Sequence, residues 1–455
     1  MKIADPFISL EKCPEYLSRL GQEFSIIRNP DYVHPEFEIV PLAPKFTGRL
    51  SRLRAAVMDM DGTTTSTEPI CIHSLEYMVR LVTNRTSALA WSGLDHDRDY
   101  PYIIGNSTTR HVEYLLKTYQ QYIDPQAFRN AYIRAAVRTL RYGKDPQRIH
   151  EVRNNLINLG LAALLTEPSI ASPSWPTGQE ETIVAQLISR FNEKCTLDSF
   201  ADTVRAAIDI YYDRYHTILA AIQRGEGAQI ATEVLTATTA THFIEPMPGV
   251  AEFIALVRGW LGAEAINLIP QLKQHLTQNA PGLLEHLDME ATQKALLVQS
   301  RYFEAHPAKV AVVTSSITYE ADIVLAELFR VIRQKISYWP LSESLRQRLT
   351  ERFQDYRTLY DTVVTATDSS EIRLKPHRDL YSIALHQLGI PKQHFNQVIG
   401  FEDSESGTIA IRAAGIGLSC AVPFSQTRNH NFAAATHILK GGLPELILIH
   451  HLFTH

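Results

Sequence analysis

The segment Ala55–Thr64, which reads AAVMDMDGTT, constrains the fold more than any other part of the chain. Its apolar run ends in two aspartates one residue apart, followed by a glycine and hydroxyl residues. This pattern predicts a buried strand, and the two-residue period of a strand puts Asp59 and Asp61 on one side of its end. Ligands bind at that edge of open parallel sheets. The segment therefore offers a nucleophile or metal ligand, Asp59, beside a candidate proton donor, Asp61. The alternative is an Asp-rich turn without chemistry.

Length and composition describe an ordinary globular chain. Its 455 residues predict two or three domains. A charged fraction of 20% and a net charge of −5 give no indication of a nucleic acid or membrane partner. The N-terminus lacks the pattern of a signal peptide, and no apolar run approaches the roughly 18 residues of a transmembrane helix. The four cysteines form no CxxC pair, which favours packing roles in a reducing compartment. We therefore expect a cytoplasmic protein.

Hydrophobic periodicity divides the chain into three parts. Residues 1–50 contain scattered prolines, which predicts an N-terminal arm packed on the main domain. Residues 51–68 and 246–455 alternate strand and helix patterns, which predicts an α/β domain with a parallel sheet. Residues 69–245 have helical periodicity and almost no strand pattern, which predicts an all-helical domain inserted into the α/β domain.

Two Asp-Pro pairs mark helix starts within the insert. Asp124-Pro125 and Asp145-Pro146 each place a capping aspartate before a proline at the first helical position. We expect these helices to run to about Tyr142 and Leu165. At the other end of the chain, we interpret His450, His451 and His455 as a tail, because they have no neighbours with metal-ligand spacing.

Polar residues follow the predicted strands of the α/β domain. An aspartyl-phosphate mechanism needs a carboxylate nucleophile, a Mg²⁺ ion, and hydrogen-bond donors with a cation around the phosphate. The chain supplies each kind of group after an apolar run: Asp59 and Asp61, then Thr314, Ser315 and Ser316, then Lys375 before a helix that Asp379 caps, and finally Glu402 and Asp403.

With these residues the sequence resembles the haloacid dehalogenase (HAD) superfamily of phosphatases and phosphomutases, in the branch with a helical cap after the first motif. Four motifs carry the resemblance in the superfamily's order: Asp59–Thr63, Val313–Ser316, Lys375-Pro376 with Asp379, and Phe401–Ser404 with Gly407. The resemblance implies a Rossmann-like parallel sheet core with a large all-helical cap of the C1 type. The insert of about 175 residues is much longer than the usual cap of this branch.

The resemblance also implies a catalytic role for each matched residue. Asp59 would be the nucleophile, and Asp61 the acid/base that protonates the leaving oxygen. Thr314 would hydrogen-bond the phosphoryl group, and Lys375 would bridge the nucleophile and the phosphate. Mg²⁺ would be held by Asp59, by the main-chain carbonyl of Asp61 and by Asp403. Glu402 would lie near the ion or reach it through water, since Mg²⁺ takes few carboxylates and several waters.

Substrate-binding residues are less specified. For Ser315 and Ser316, a phosphate contact and an N-cap of the next helix both stay open. In the cap, the segment Ile103–His111 resembles a loop that some members of the superfamily fold over the active site. Arg110 in this segment is a candidate substrate contact, and a solvated surface arginine is the alternative.

We therefore expect a Mg²⁺-dependent phosphatase that hydrolyses a small phosphorylated metabolite, such as a sugar phosphate, through an aspartyl-phosphate. The first alternative is a phosphomutase of the β-phosphoglucomutase type, which differs in whether water is excluded from the intermediate. The second is a binding or regulatory module without catalysis that uses the helical insert to dock another protein. The set of Asp59, Asp61, Thr314, Lys375 and Asp403 disfavours that alternative. The sequence specifies neither the substrate nor the oligomeric state.

Overall fold

The structure is a computed structural model of the chain. It describes residues 8–29, 33–87, 89–103, 108–172, 175–176, 178–227, 229–230, 242–285 and 287–454. The chain divides into two compact units, one formed by residues 1–66 and 244–455 and the other by residues 67–243. We call the first unit the core and the second the cap.

The core contains a six-stranded parallel sheet. Its strands are β3 (Ala55–Asp59), β6 (Lys309–Val313), β7 (Thr362–Val364), β8 (Val398–Glu402), β9 (Leu418–Ala421) and β10 (His437–Ile438). They lie in the order β10-β9-β8-β3-β6-β7. This is a doubly wound order: β3, β6 and β7 form one half of the sheet, β8, β9 and β10 form the other, and the two halves meet at the crossing point between β3 and β8. The predicted fold class, a Rossmann-like α/β core with a helical insertion, is confirmed.

Strands β3 and β8 are adjacent at this crossing point, and every residue of both is buried. Parallel strands covered by helices on both faces become continuous apolar runs, which is why the sequence marks them clearly. On one face Val57 packs in a cluster with Leu380 and Tyr381. Phe401 of β8 packs edge-on against Phe253, with ring centroids 5.2 Å apart. Packing on this sheet holds the strand ends in fixed positions.

Helices cover the sheet and build the rest of the core. Their bounds are α1 Cys13–Leu20, α10 Val250–Val257, α11 Ile269–Asn279, α12 Met289–Ala305, α13 Thr318–Ile336, α14 Glu343–Arg352, α15 Tyr356–Leu359, α16 Asp379–Gln387, α17 Glu405–Ala413 and α18 Gly442–Leu448. The short strands β4 (Thr65–Ser66) and β5 (Glu245–Pro246) pair antiparallel at the two points where the chain leaves and re-enters the core.

The described part of the cap is helical throughout. Its helices are α2 Glu68–Val82, α3 Tyr100–Ile103, α4 Thr108–Thr118, α5 Pro125–Tyr142, α6 Pro146–Asn158, α7 Pro168–Ala171, α8 Glu180–Phe191 and α9 Phe200–Gln223. None of the helices in the described ranges has the length and apolar character needed to cross a membrane.

The two Asp-Pro pairs start helices as predicted. The Asp124 carboxylate accepts hydrogen bonds from two backbone N–H groups of the first turn of α5, and Asp145 does the same for α6. The prediction that the second helix runs to Leu165 is wrong, because α6 ends at Asn158. Gly160 then adopts a φ of +77°, which turns the chain out of the helix, and a separate 3-10 turn follows.

The N-terminal segment contains two strands that the sequence pattern did not predict. In the N-terminal segment, β1 (Glu23–Arg28) and β2 (Phe37–Leu42) pair antiparallel with each other. After β2 the backbone contacts the residue that precedes β9: the N–H of Phe46 donates to the carbonyl of Gly417 at 2.9 Å. The strand pattern is weak because Ile26 and Ile39, which lie opposite each other, are both exposed.

The interpretation of the C-terminal histidines as a tail is wrong for His450 and His451, whereas His455 lies outside the described residues. The preceding chain forms β10 and α18, His451 begins a 3-10 turn, and Thr454 bridges back to Leu50. The ring of His450 lies 3.0 Å from the buried carboxylate of Glu445. These contacts make the C-terminus part of the core.

Candidate active site

The carboxyl ends of β3, β6 and β8 meet at one edge of the sheet. In the strand register Asp59 lies opposite Val313 of β6, and Met58 lies opposite Phe401 of β8. The residues next along the chain, Thr314 after Val313 and Glu402 after Phe401, therefore flank Asp59. Asp59, Thr314 and Glu402 are all buried. Parallel pairing thus brings together residues from three separate parts of the sequence.

Lys375 joins two of these carboxylates. Its ammonium group pairs with Oδ1 of Asp59, lies 2.7 Å from Oε1 of Glu402, and donates to the carbonyl of Val313 at 3.2 Å. Burial alone would lower the pKa of Lys375, but Asp59 and Glu402 together raise it above its ordinary value. Lys375 is therefore a fixed cation between two buried carboxylates.

Glu402 is held on both of its oxygens. Oε1 accepts a hydrogen bond from the Tyr381 hydroxyl at 2.7 Å, in addition to the lysine, and Oε2 accepts one from Ser404 at 3.0 Å. Gly407 packs directly against this carboxylate, and a Cβ atom there would overlap it. These contacts explain the glycine at position 407. Because protein groups already bond both oxygens of Glu402, these contacts also indicate that Glu402 serves to orient Lys375.

Asp403 is the third carboxylate of the cluster. One oxygen from each of Asp59, Glu402 and Asp403 lies within 4.8 Å of the others, and all three residues are buried. The hydroxyl of Thr63 donates to Oδ1 of Asp403 at 3.4 Å. Gly62 has a φ of +78°, and a Cβ on it would lie 2.6 Å from Oδ2 of Asp403. The glycine therefore lets the turn after β3 approach Asp403 closely.

The electrostatics of this cluster favour a bound cation. Burial raises the pKa of Asp59, the neighbouring carboxylate of Glu402 adds to this rise, and Lys375 opposes it. Three buried carboxylates with one lysine carry excess negative charge in a region of low dielectric constant, which is costly unless a cation compensates it. The donor atoms are hard oxygens, the ligands that Mg²⁺ takes in proteins. The residues thus fit the predicted ion.

Asp61 faces a separate set of groups. Its Oδ2 accepts hydrogen bonds from the hydroxyls of Thr314, at 3.3 Å, and Ser316, at 3.2 Å. The Thr314 hydroxyl also accepts from the backbone N–H of Ser316 at 2.9 Å. Two hydroxyl groups on the loop after β6 therefore orient Asp61 apart from the cluster around Lys375.

The structure separates the two serines that the sequence left open. Ser316 contacts Asp61, whereas Ser315 is exposed and makes no side-chain hydrogen bond among the described residues. The N-cap of α13 is Ile317, so neither serine caps that helix. The role of Ser315 as a substrate contact stays a prediction. The sequence does not distinguish the two serines, because the direction of each side chain depends on the backbone conformation of the loop after β6.

The predicted cap by Asp379 is wrong. Arg378 occupies the N-cap position of α16, and no side chain caps it. The Asp379 carboxylate instead accepts two hydrogen bonds from the guanidinium of Arg373, both at 3.0 Å. This pair fixes the segment that carries Lys375, and the competing arginine is why the aspartate does not bond the helix N–H groups.

Arg110 lies in the first turn of α4 and is exposed. The sequence placed it at the end of a loop before a helix, but α4 begins at Thr108, so the arginine is helical. Residues 104–107 of that predicted loop lie outside the described residues. A substrate contact by Arg110 stays a prediction.

Comparison with known proteins gives structural matches alone. No protein-family model matches the chain, and no curated protein sequence matches it. Among solved structures, the chain is similar to CbbY from Rhodobacter sphaeroides in complex with phosphate, at 15% identity over 87% of this chain and 96% of that one, with a TM-score of 0.37. A putative β-phosphoglucomutase from Thermotoga maritima matches at 15% identity over 87% and 97% of the two chains, with a TM-score of 0.33. A putative phosphoglycolate phosphatase from Lactobacillus plantarum matches at 10% identity over 88% and 100%, with a TM-score of 0.36.

The core has the doubly wound α/β fold with a helical insertion that the resemblance to the HAD superfamily implies. This conclusion rests on the chain's own strand order and on the place of the four motifs, each at the carboxyl edge of the parallel sheet or on the segment leading to α16. This core positions Asp59 and Asp403 on either side of the crossing point between β3 and β8, where doubly wound sheets bind ligands.

Proposed function

We propose that the protein is a Mg²⁺-dependent phosphatase that hydrolyses a small phosphorylated metabolite through a phosphoryl group carried on Asp59. The observation that supports this most is the buried cluster in which Lys375 bridges Asp59 and Glu402 while Asp403 lies alongside. A buried nucleophilic carboxylate with a fixed cation is suited to attack on a dianion, since the lysine offsets the charge of both partners.

In the proposed first step, an oxygen of Asp59 attacks phosphorus and the bond to the leaving oxygen breaks. Asp61 gives its proton to that oxygen, so the alcohol leaves neutral and an aspartyl-phosphate remains. The hydroxyls of Thr314 and Ser316 hold the Asp61 carboxylate in place for this transfer. Lys375 would also donate to the phosphoryl oxygens, and the single hydroxyl hydrogen of Thr314 would do so on turning from Asp61, which Ser316 continues to hold.

In the second step, water attacks the phosphorus of the aspartyl-phosphate and the acyl phosphate bond breaks. The carboxylate of Asp61, now deprotonated, accepts the proton of the water. The products are inorganic phosphate and free Asp59, and Asp61 is again protonated for the next turnover. One group can serve as acid and then as base because each step leaves it in the form that the other needs.

Mg²⁺ would be held by Asp59, the main-chain carbonyl of Asp61 and Asp403, and it would neutralise charge shared by the carboxylates and the phosphate. Glu402 is a weaker candidate for a direct ligand, because its oxygens already accept from Tyr381, Ser404 and Lys375. We therefore assign Glu402 to positioning the lysine.

The test is hydrolysis of p-nitrophenyl phosphate, with Mg²⁺ and with a chelator, by the wild type and by Asp59→Asn. We expect Mg²⁺-dependent release of phosphate by the wild type and less than about a thousandth of that rate in the variant, because an amide cannot attack phosphorus. Asp198→Asn is the matched control, since Asp198 is exposed on the cap. Equal loss in both variants, or activity that survives in Asp59→Asn, would contradict the proposal.

A sugar phosphate assay separates a phosphatase from a phosphomutase. A phosphatase releases inorganic phosphate and free sugar in equal amounts. A phosphomutase would yield an isomeric sugar phosphate with little free phosphate, and a bisphosphate would load Asp59 with a phosphoryl group. That outcome would keep the role of Asp59 and replace the hydrolytic second step.

A further inference from the structure

A cavity opens beside the turn that follows Asp59 and Asp61. It has a volume of about 150 Å³, and its lining includes Gly62 and Thr63, which directly follow Asp61. A single water needs roughly 10–15 Å³ of such space, so the cavity can hold a small part of an organic molecule. The opposite wall comes from the segments after β9 and β10. All of its lining residues belong to the core.

The charges of this cavity have one sign. Its lining residues include Arg428 and Lys440 but no aspartate or glutamate. Both side chains are exposed, and neither has a carboxylate partner within salt-bridge distance among the described residues. The chain as a whole carries a net charge of −5, so a cavity lined by two cations and no acidic residue differs in sign from the chain's overall charge.

Ordered backbone turns hold both cations at the cavity. The buried hydroxyl of Thr427 accepts from the N–H of Phe424 at 3.2 Å, which fixes the turn before Arg428. On the other segment, the N–H of Leu439 donates to Ala421 at 2.8 Å, and the turn after Lys440 closes with a bond from Gly442 to Leu439 at 2.9 Å. Hydrogen bonds thus hold the backbone of the segments that carry the two charges.

This wall is also tied directly to the active site. The N–H of Val422 donates to the carbonyl of Glu402 at 2.7 Å, and Val422 and Phe424 contribute apolar surface to the cavity. Thr63, on the facing wall, bonds Asp403. Both walls of the cavity are thus hydrogen-bonded to residues of the candidate active site, and an apolar lining with two cations is the pattern of a specificity subsite.

We propose that this cationic pocket, formed by Arg428 and Lys440 with Gly62 and Thr63, binds a second anionic group of the substrate. The substrate class is a phosphomonoester that carries a further phosphate or carboxylate a few bonds from the reacting phosphorus. The inference rests on the proposed phosphatase function. The guanidinium of Arg428 can bind a carboxylate or phosphate with two parallel hydrogen bonds, and Lys440 adds a point charge.

The test uses three matched probes: propyl phosphate, 3-(phosphooxy)propanoate and propane-1,3-diyl bisphosphate. They share the reacting group and chain length and differ at the far end, which is apolar, a carboxylate or a phosphate. We expect the wild type to have a higher kcat/KM for a charged probe than for propyl phosphate. Arg428→Ala and Lys440→Ala should each reduce that ratio about ten-fold, mainly through KM, because each removes one charge-assisted contact. The probe with the larger ratio identifies the anion.

Lys392→Ala is the control, since Lys392 is an exposed lysine of the core that does not line the cavity. It should leave the ratio unchanged. A wild-type ratio near one for both charged probes, or a ratio that neither pocket variant changes, would overturn the inference while p-nitrophenyl phosphate hydrolysis still supports the proposed function.

A wild type that hydrolyses none of the phosphate esters would instead overturn the proposed function. Calorimetric measurement of binding then tests whether the pocket is an anion site. Binding of propane-1,3-diyl bisphosphate about ten-fold weaker in Arg428→Ala than in the wild type would support the pocket as an anion site, and equal binding would refute it.

Discussion

Replacing Lys375 by methionine should both destabilise the core and abolish activity. Methionine has a similar length, so the change removes the charge and leaves little cavity. Asp59 and Glu402, at most 5% exposed, would then face each other without their shared cation. Breaking a buried pair in this way costs about 3–5 kcal/mol, because the carboxylates are left uncompensated. At roughly 2–4 °C per kcal/mol for a unit of this size, Tm should fall by about 10 °C.

A second substitution tests the cause of that loss. In Lys375→Met with Glu402→Gln, one of the two facing carboxylates becomes neutral, and an amide can still accept from Tyr381. We expect the double variant to recover about 2 kcal/mol relative to Lys375→Met, which is within the usual range of coupling between contacting residues. Activity should not recover, since the lysine is absent.

The assay is thermal or urea unfolding of the wild type, both single variants and the double variant in the presence of a chelator, so that no metal contributes. Hydrolysis of p-nitrophenyl phosphate with Mg²⁺ is measured in parallel and should drop about a hundred-fold or more in Lys375→Met. Strictly additive losses of stability would refute the reasoning, because they would mean that Lys375 and Glu402 do not compensate each other's charge.

Three further predictions concern the metal, the cap and the pH dependence. Asp403→Asn should raise the Mg²⁺ concentration needed for half-maximal activity more than it lowers Tm, and an unchanged requirement would transfer the metal role to Glu402. Arg110→Ala should lower kcat/KM for the true substrate about ten- to a hundred-fold but hardly affect p-nitrophenyl phosphate, whose chemistry needs the core; equal effects on both would place Arg110 at the phosphate. Burial lowers the pKa of His73 to about 4, below its value of roughly 6.5 in an unfolded chain. The folded cap therefore favours neutral His73, and it loses stability as pH falls from 6.5 towards 4. His73→Gln should weaken that acid sensitivity in urea unfolding at pH 7 and pH 5, and an identical pH dependence would contradict it.

The sequence predicted the sheet because its central strands are buried on both faces. Strands β3 and β8 are continuous apolar runs followed by acids. Parallel pairing then brings Lys375 to Asp59 across 316 residues of sequence. The conclusion that polar strand ends meet follows from topology alone. It needed no knowledge of the intervening helices.

Other features depend on contacts that leave no pattern in the sequence. The β1–β2 pair exposes Ile26 and Ile39, so its strands lack the alternation that marks a half-buried sheet. From the sequence, Tyr381 looks like any aromatic residue of the core. The hydrogen bond from its hydroxyl to Glu402 can be identified only from the structure. The choice of Ser316 over Ser315 depends on the local path of the loop after β6.

In the proposed mechanism, the charge balance of the site requires more than Lys375 to keep the nucleophile Asp59 anionic. A protonated carboxyl group cannot attack phosphorus, and both burial and Glu402 raise the pKa of Asp59. Lys375 opposes this rise but divides its charge between Asp59 and Glu402. Asp59 would therefore stay anionic most effectively when it shares a divalent cation with Asp403, whose oxygens lie within reach. In the proposed site Glu402 keeps the lysine between the strands, and Asp403 would supply the metal ligand on the other side. The two acids at the end of β8 would thus have different roles, and Glu402→Gln should alter the stability of the core more than its Mg²⁺ requirement, whereas Asp403→Asn should do the reverse.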